Sequence, residues 1–320
     1  MRIKVRTPSR LHLTLIDLNG EIGRIDGGVG ISLNEPYIEI SGIESDNYPE
    51  VRGEMINLER FRHVSNLLSG FAGKNALINV LSDFQNHVGL GSGTQISLSV
   101  GEVYNRLFNL NLSIREIAKI AGRGGTSGIG VAAFEMGGFI VDGGHSVREK
   151  SHFLPSSASS ARPPPIISRH EFPDWKIVLI IPEMSGFSGK NEISLFEKLC
   201  PVPIEDVREI SHFILMKLIP SVIEESLEDF GEALWRIQHL GFKKEEINQY
   251  GNLIWNALEV IREFTPAAGM SSTGPAIFAI TDTDSKSLIN ECTGYFEENG
   301  LRCEVITTVA RNRGADIEAI

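Results

Sequence analysis

His87-Val-Gly-Leu-Gly-Ser-Gly-Thr-Gln95 lies between an apolar run, Ala76-Leu-Ile-Asn-Val-Leu81, and a segment in which Ile96, Val100, Val103 and Leu107 recur at spacings of four, three and four. The run reads as a buried strand and the spaced residues as one face of a helix. A strand, a glycine turn and a helix in that order bring free backbone N–H groups and the positive end of a helix dipole to one spot, which suits a phosphate. The candidate phosphate-binding residues are therefore Gly89, Leu90, Gly91, Ser92, Gly93, Thr94 and Gln95. The stretch is neither GxxxxGK[ST] nor GxGxxG, so two common nucleotide-binding signatures are excluded. A structural strand–helix turn is the alternative that the local pattern leaves open.

Working outward, glycine makes up 32 of 320 residues, and 17 of these fall in three clusters at 20–30, 89–93 and 122–144. Glycine permits positive φ and close approach of a ligand to the backbone, so separated clusters suggest loops converging on one site, although tight turns alone would also use them. Around the first cluster stand Arg10, His12, Asp17, Arg24 and Asp26, a mixed set that can supply acid–base groups and hold a metal–phosphate substrate, or simply form surface ion pairs. The third holds Arg123 and Ser127 in Gly122-Arg-Gly-Gly-Thr-Ser-Gly-Ile-Gly130. Arginine presents a fixed fork of donors for phosphate or carboxylate oxygens. Gly186-Phe-Ser-Gly-Lys-Asn-Glu192 offers Lys190 to a phosphate and Glu192 to a divalent cation, or else is an ordinary helix start. Gly269-Met-Ser-Ser-Thr-Gly-Pro275 either packs beside the phosphate loop or reverses the chain.

Composition narrows the class. Hydrophobic residues are 42% and charged residues 22%, a globular mix. The net charge of −11 argues against general nucleic-acid binding, which needs a basic footprint. No apolar stretch reaches membrane-spanning length, and the first residues carry no apolar signal-like run, so the expectation is a cytoplasmic protein. Cys200, Cys292 and Cys303 form no CxxC pair and predict neither a disulfide framework nor a cysteine zinc site.

Strands are expected at Ile3–Thr7, Leu11–Ile16, Tyr37–Ile40 and Phe139–Val141. The Ser/Pro-rich segment 155–165 marks a domain boundary or a long surface loop, dividing the chain into 1–165 and 166–320. Beyond it come a strand at Trp175–Pro182, helices around Val222–Ile237 and Asn252–Phe264, a strand at Ala276–Ile280, a helix at Ser285–Asn299 and a strand at Cys303–Val309. This βααβαβ-like order predicts an α+β fold rather than a doubly wound sheet.

Three segments in this order resemble the GHMP kinase superfamily: Pro8-Ser-Arg10, Gly89-Leu-Gly-Ser92 and the Gly269–Phe278 turn and strand. The resemblance implies a GHMP-kinase-like two-lobed fold, with an N-terminal lobe like ribosomal protein S5 domain 2, a ferredoxin-like C-terminal lobe and a site in the cleft between them. The chain departs from the kinases in three places. Gly93-Thr94 replaces their Ser-Ala, with Gln95 following, Gly130 stands where many carry a catalytic aspartate, and the upstream glutamate that binds Mg²⁺ in several of them has no clear counterpart. With Ser9–His12, Ile16–Gly20 and Gly23–Gly28, these departures are similar to the β-ribofuranosylaminobenzene 5′-phosphate synthase branch. That branch implies a phosphoribosyltransferase of tetrahydromethanopterin biosynthesis. It joins phosphoribosyl pyrophosphate to 4-hydroxybenzoate or 4-aminobenzoate with loss of CO2 and pyrophosphate, uses Mg²⁺ and forms a homodimer. On this reading Asp17, Asp26 or Glu192 holds Mg²⁺, Arg10, Arg24, Arg123 and Lys190 meet the anions, and His12 is an acid or hydrogen-bond donor. An ATP-dependent small-molecule kinase of the same fold, and more remotely a non-catalytic ligand- or RNA-binding module, are the rival readings.

Overall fold

The computed structural model describes every residue except Glu54, Ser157, Phe187 and Ser188. In chain order the elements are β1 (Ile3–Asp17), β2 (Arg24–Ser45), β3 (Glu50–Arg52), α1 (Leu58–Ala72), β4 (Asn75–Ser82), α2 (Ser92–Phe108), α3 (Ile114–Ile120), α4 (Ile129–Glu135), β5 (Phe139–Asp142), β6 (His145–Ser146), β7 (Ile166–His170) and β8 (Lys176–Pro182). Then follow α5 (Lys190–Leu199), α6 (Ile204–Phe213), a π-helical turn at Ile214–Leu218, α7 (Ile219–Ile223), α8 (Leu227–Gln238), α9 (Gly241–Asn248), α10 (Asn252–Arg262), β9 (Ala267–Met270), β10 (Ile277–Thr281), α11 (Lys286–Glu298), β11 (Cys303–Val309) and β12 (Asp316–Ala319).

The first sheet runs β12-β1-β2-β4-β3, with β5 and β6 also pairing β2 and β7 pairing β5. Its spine is the β1–β2 antiparallel ladder. The two short strands expected before residue 17 are one strand, bent by irregularities at Pro8/Ser9 and His12/Thr14. Such bulges re-aim side chains, here around Arg10 and His12. The glycine-rich stretch 20–30, expected to be a ligand loop, is mostly the start of β2. Its glycines serve close packing: a Cβ at Gly30 would overlap Ile129 Cγ2 and the Leu11 carbonyl oxygen. Only a residue without a side chain lets α4 lie this close to the sheet.

The second sheet runs β11-β8-β10-β9, all antiparallel. With α8–α10 between β8 and β9, and α11 between β10 and β11, its order is that of a ferredoxin-like βαββαβ lobe. The sequence pattern lacked β9, because Ala267-Ala-Gly-Met270 has no β-branched or aromatic residue and acquires strand geometry only by pairing β10. The two lobes are not contiguous in sequence. The division expected at residue 165 falls before β7, which still belongs to the first sheet, and β12 returns there to pair with β1. One apolar core joins the lobes, running from Ile31, Val100 and Tyr104 to Phe230 and Phe278.

Replacing Gly30 with alanine forces α4 off the sheet and is expected to lower stability by about 1–3 kcal/mol, the range for overpacking. Urea denaturation checks this; an unchanged midpoint would show that α4 tolerates the added methyl.

Candidate functional site

The seam between the lobes holds a cleft of about 1100 Å³, counting the open solvent at its mouth. Its floor is the glycine turn before α2. Gly89 and Gly91 have φ of 92° and 85°, a region that disfavours side chains. The turn is tied to both lobes. Arg10 N–H donates to Leu90 O at 3.1 Å, Ser271 Oγ donates to Gly89 O at 2.7 Å, and Ala276 N–H donates to Val88 O at 3.1 Å. Ser271 Oγ also accepts the His12 N–H at 3.0 Å, so one hydroxyl joins β1, the turn and the second lobe.

Three arginines from different elements converge on this turn: Arg10 from β1, Arg60 from α1 and Arg123 from the loop after α3. A Cβ at Gly91 would touch Arg10 Nε at 3.2 Å, and one at Gly93 would overlap Arg60 Nη1. The two glycines therefore give the guanidinium groups room to lie on the helix end. Arg123 Nε and Nη2 both donate to Thr94 Oγ1 at 3.1 Å, and Arg10 donates to Gly89 O. Among the described residues no carboxylate lies within ion-pair distance of any of the three. The Ser92 and Gly93 N–H groups, first in α2, likewise have no acceptor among the described residues. Burial, and then the Arg123 charge, pulls Arg10 down to about 10. Burial, and then the Arg60 charge, pulls Arg123 down to about 10. Cations gathered at the positive end of a helix repel one another and the dipole. Glu192 and Glu246 across the cleft offset part of this charge, and a bound anion would offset more of it.

Across the cleft stand Glu192 on α5 and Glu246 on α9. Burial, followed by repulsion from Glu246, pushes the Glu192 carboxyl up to about 7. Glu246 pairs with the fully buried Lys243 at 2.5 Å, and Lys243 also donates to Ser272 O at 2.8 Å. Beyond the carboxylates, His12 Nε2 is 3.0 Å from Ser127 Oγ, which is 3.3 Å from Asp142 Oδ2. Burial, then the charges of Arg10 and Lys243, holds the His12 imidazole well below its ordinary value and so neutral.

Of the residues expected from sequence, Arg10, His12, Gly89, Gly91, Ser92, Gly93, Thr94, Arg123, Ser127 and Glu192 line the cleft. Others do not. Asp26 is 1% exposed and enclosed by Lys150 Nζ at 3.0 Å and His145 Nδ1 at 2.6 Å, so its charge is spent inside the first lobe. Asp17 Oδ1 takes the N–H groups of Asn19 at 2.8 Å and Gly20 at 2.9 Å, holding a turn. Arg24 is exposed and donates to the carbonyls of Gly143 and Gly144. Lys190 is exposed at the start of α5, and the Phe187-Ser188 part of its motif lies outside the described residues. Leu90 packs in the core, and Gln95 is fully buried, bonding Thr7 and the Gly130 carbonyl. The sequence reading missed Arg60, Glu246, Lys243 and Asp142. The Asp142-Gly-Gly144 turn at a strand end was a signal for the last of these; Arg60 looks like any charge on an amphipathic helix.

Residues 58–138 match the family model described as the GHMP kinases N terminal domain. A beta-ribofuranosylphenol 5′-phosphate synthase from Archaeoglobus fulgidus is 55% identical over 316 residues, 99% of each chain. One of the same name from Methanocaldococcus jannaschii is 43% identical over 98% of this chain and 99% of its own. Among solved structures, the Streptococcus pneumoniae phosphomevalonate kinase superposes with a TM-score of 0.67 at 13% identity, covering 96% of this chain and 99% of that one. A homoserine kinase from Cytophaga hutchinsonii gives 0.66 at 13%, covering 99% and 97%. These two likenesses carry the fold alone.

Arg60→Met keeps the apolar stem and removes the charge. It is expected to weaken binding of inorganic pyrophosphate by roughly 10- to 150-fold, the worth of a charged hydrogen bond. It is also expected to raise the thermal midpoint of the ligand-free protein, because a repulsion is gone. Calorimetric titration and a melting curve check both; equal pyrophosphate affinity would remove Arg60 from the anion site.

Proposed function

The chain belongs to the beta-ribofuranosylphenol 5′-phosphate synthase family, and from that premise we propose that it condenses phosphoribosyl pyrophosphate with 4-hydroxybenzoate, releasing CO2 and pyrophosphate and leaving a C-riboside 5′-phosphate. The relatives' names specify a phenol product, which favours the hydroxy acid over 4-aminobenzoate as acceptor. The observation that carries this reading is the trio of half-buried arginines at the start of α2 with no carboxylate in ion-pair contact among the described residues. A pyrophosphate brings the charge that the trio lacks. Arg10, Arg60 and Arg123, with the Ser92 and Gly93 N–H groups, hold this group and stabilise the charge that builds on it as the ribosyl C–O bond breaks. They are in place before the reaction begins, so little reorganisation accompanies that step.

Mg²⁺ fits the donor set of the opposite wall. Glu192 and Glu246 are two carboxylates facing one space, and burial, then the Glu246 charge, pushes Glu192 up to about 7 against the pull of Arg123 and Arg10. Among the described residues no cluster of three or more ligating side chains exists. The ion would therefore be shared between these two side chains and substrate oxygens, as Mg²⁺ usually is. When bound, it offsets negative charge on the pyrophosphate. Asp17 and Asp26, the other expected ligands, are engaged in the turn and the Lys150 pair described above.

The kinase alternative shares the fold, but its chemistry finds less support. A Cβ at Gly130 would press on Thr94 Cγ2 at 3.2 Å, so the position that carries an aspartate in many kinases has little room for one here.

Purified protein given phosphoribosyl pyrophosphate, Mg²⁺ and carboxyl-labelled 4-hydroxybenzoate is expected to release labelled CO2 only when both substrates are present. ATP consumption with an alcohol acceptor and no label release would overturn the synthase reading. The half-saturating Mg²⁺ concentration is expected to rise as pH falls below about 7, because Glu192 is then protonated. In Glu192→Gln that dependence flattens; an unaltered pH profile would take Glu192 out of the metal site.

A further inference from the structure

Another part of the cleft has a different chemistry. Leu15, Phe196 and Pro155 supply its apolar wall, and Phe196 lies one helical turn beyond Glu192 on α5, so both face the same way. Leu15 is paired across the ladder with Gly28. A Cβ at Gly28 would lie 2.6 Å from Ser127 Oγ, 3.0 Å from Asp142 Oδ2 and 3.1 Å from His12 Nε2. Three polar groups thus meet beside the apolar wall, and Ser127 and His12 both line the cleft.

The direction of the hydrogen bonds follows from burial. His12 Nδ1 is buried with no partner, and a lone pair is less costly to leave there than an N–H. The ring proton therefore sits on Nε2 and is donated to Ser127 Oγ at 3.0 Å. Ser127 in turn donates to Asp142 Oδ2 at 3.3 Å. Asp142 is fully buried and also accepts the Gly128 N–H at 2.9 Å and the Gly144 N–H at 3.0 Å. Ser127 Oγ also accepts the Ile129 N–H, at a long 3.3 Å, so a phenolic O–H that displaces this weaker donor enters at Ser127 and its proton can pass inward to Asp142.

We propose that this part is the acceptor subsite: the ring of the hydroxyaryl acid lies against the edge that Leu15 and Phe196 present to the cleft from their packed cluster, and Ser127 takes its phenolic proton while passing its own to Asp142. The inference rests on the synthase reading. A bond forms between the ring carbon bearing the carboxylate and the anomeric carbon, and the anomeric C–O bond breaks with its electron pair leaving on pyrophosphate. The phenolic O–H pair becomes the C=O of a cyclohexadienone, and the proton moves through Ser127 to Asp142. The C–CO2 bond then breaks, its electrons restore the aromatic ring, and the oxygen takes the proton back along the same path. Burial holds Asp142 up to about 7, which suits a group that accepts and returns a proton at neutral pH. Ser127 is the catalytic residue and Asp142 the positioning residue behind it.

The test uses wild type, Ser127→Ala, Asp142→Asn and Phe196→Leu with carboxyl-labelled 4-hydroxybenzoate and with labelled 4-methoxybenzoate, which has no phenolic proton. Ser127→Ala is expected to lower kcat about 100-fold, within the range for a proton-transfer group, with KM for phosphoribosyl pyrophosphate unchanged. Asp142→Asn is expected to lower kcat and abolish the solvent deuterium isotope effect on label release, which a change of packing alone leaves in place. Phe196→Leu raises KM for the aromatic acid about tenfold and leaves that for the phosphoribosyl donor alone. The methoxy acid competes with the hydroxy acid but releases no label. Wild-type rates in Ser127→Ala, or label from the methoxy acid at a comparable rate, would overturn the proton path while leaving the synthase reading intact. A wild type silent with 4-hydroxybenzoate would overturn both.

Discussion

Three positive side chains held at the positive end of a helix, with no carboxylate in ion-pair contact among the described residues, is the constraint around which this molecule is arranged. A fold does not gather Arg10, Arg60 and Arg123 on the first turn of α2 for stability, since their mutual repulsion and desolvation oppose it. Several local features serve only to permit the arrangement. Gly91 and Gly93 clear space for the guanidinium groups. The Ser271 hydroxyl holds the turn against β1 and the second lobe. Thr94 orients Arg123. The cost of assembling such a site is recovered when an anion binds, so ligand-free stability and ligand affinity oppose each other here.

The same logic separates the two groups of charges found in the first lobe. Asp26, Lys150 and His145 are buried but mutually satisfied: Lys150 also donates to Thr126 Oγ1 and the Leu154 carbonyl, and His145 pairs with the Arg162 carbonyl. Such a network ties Leu154 and Arg162 to the lobe and has little capacity left for a substrate. The arginines are half-buried and, among the described residues, have no carboxylate in ion-pair contact. Sequence alone cannot tell these cases apart, because Asp26 and Arg10 look equally suggestive beside glycines.

What could be read from the residues was the chemistry that lies in one contiguous motif. The phosphate turn, the α2 face and the strands at Phe139, Trp175, Ala276 and Cys303 have local signals in glycine spacing and apolar period. Arg10, Arg123, Ser127 and Glu192 stood out for the same reason. The rest depends on contacts between distant segments. Arg60 becomes an anion ligand only because α1 packs on α2, and Glu246 becomes a partner of Glu192 only because α9 faces α5. β9 is a strand only because β10 lies beside it. The glycines of 23–30 misled in the other direction, since absence of a side chain serves helix packing as readily as it serves a ligand.

The return of β12 to β1 has a consequence for how the molecule is made. Ile3 pairs with Ala319 and Arg6 with Asp316, so one edge of the first sheet is completed by residues some three hundred positions along the chain. Contacts of that span form late and slow folding. Until they form, β1, which carries Arg10 and His12, presents an open strand edge able to pair with another chain. The lobe that comes first in sequence is therefore finished last, and the part of the enzyme that bears the anion site is also the part most exposed to misassembly during synthesis.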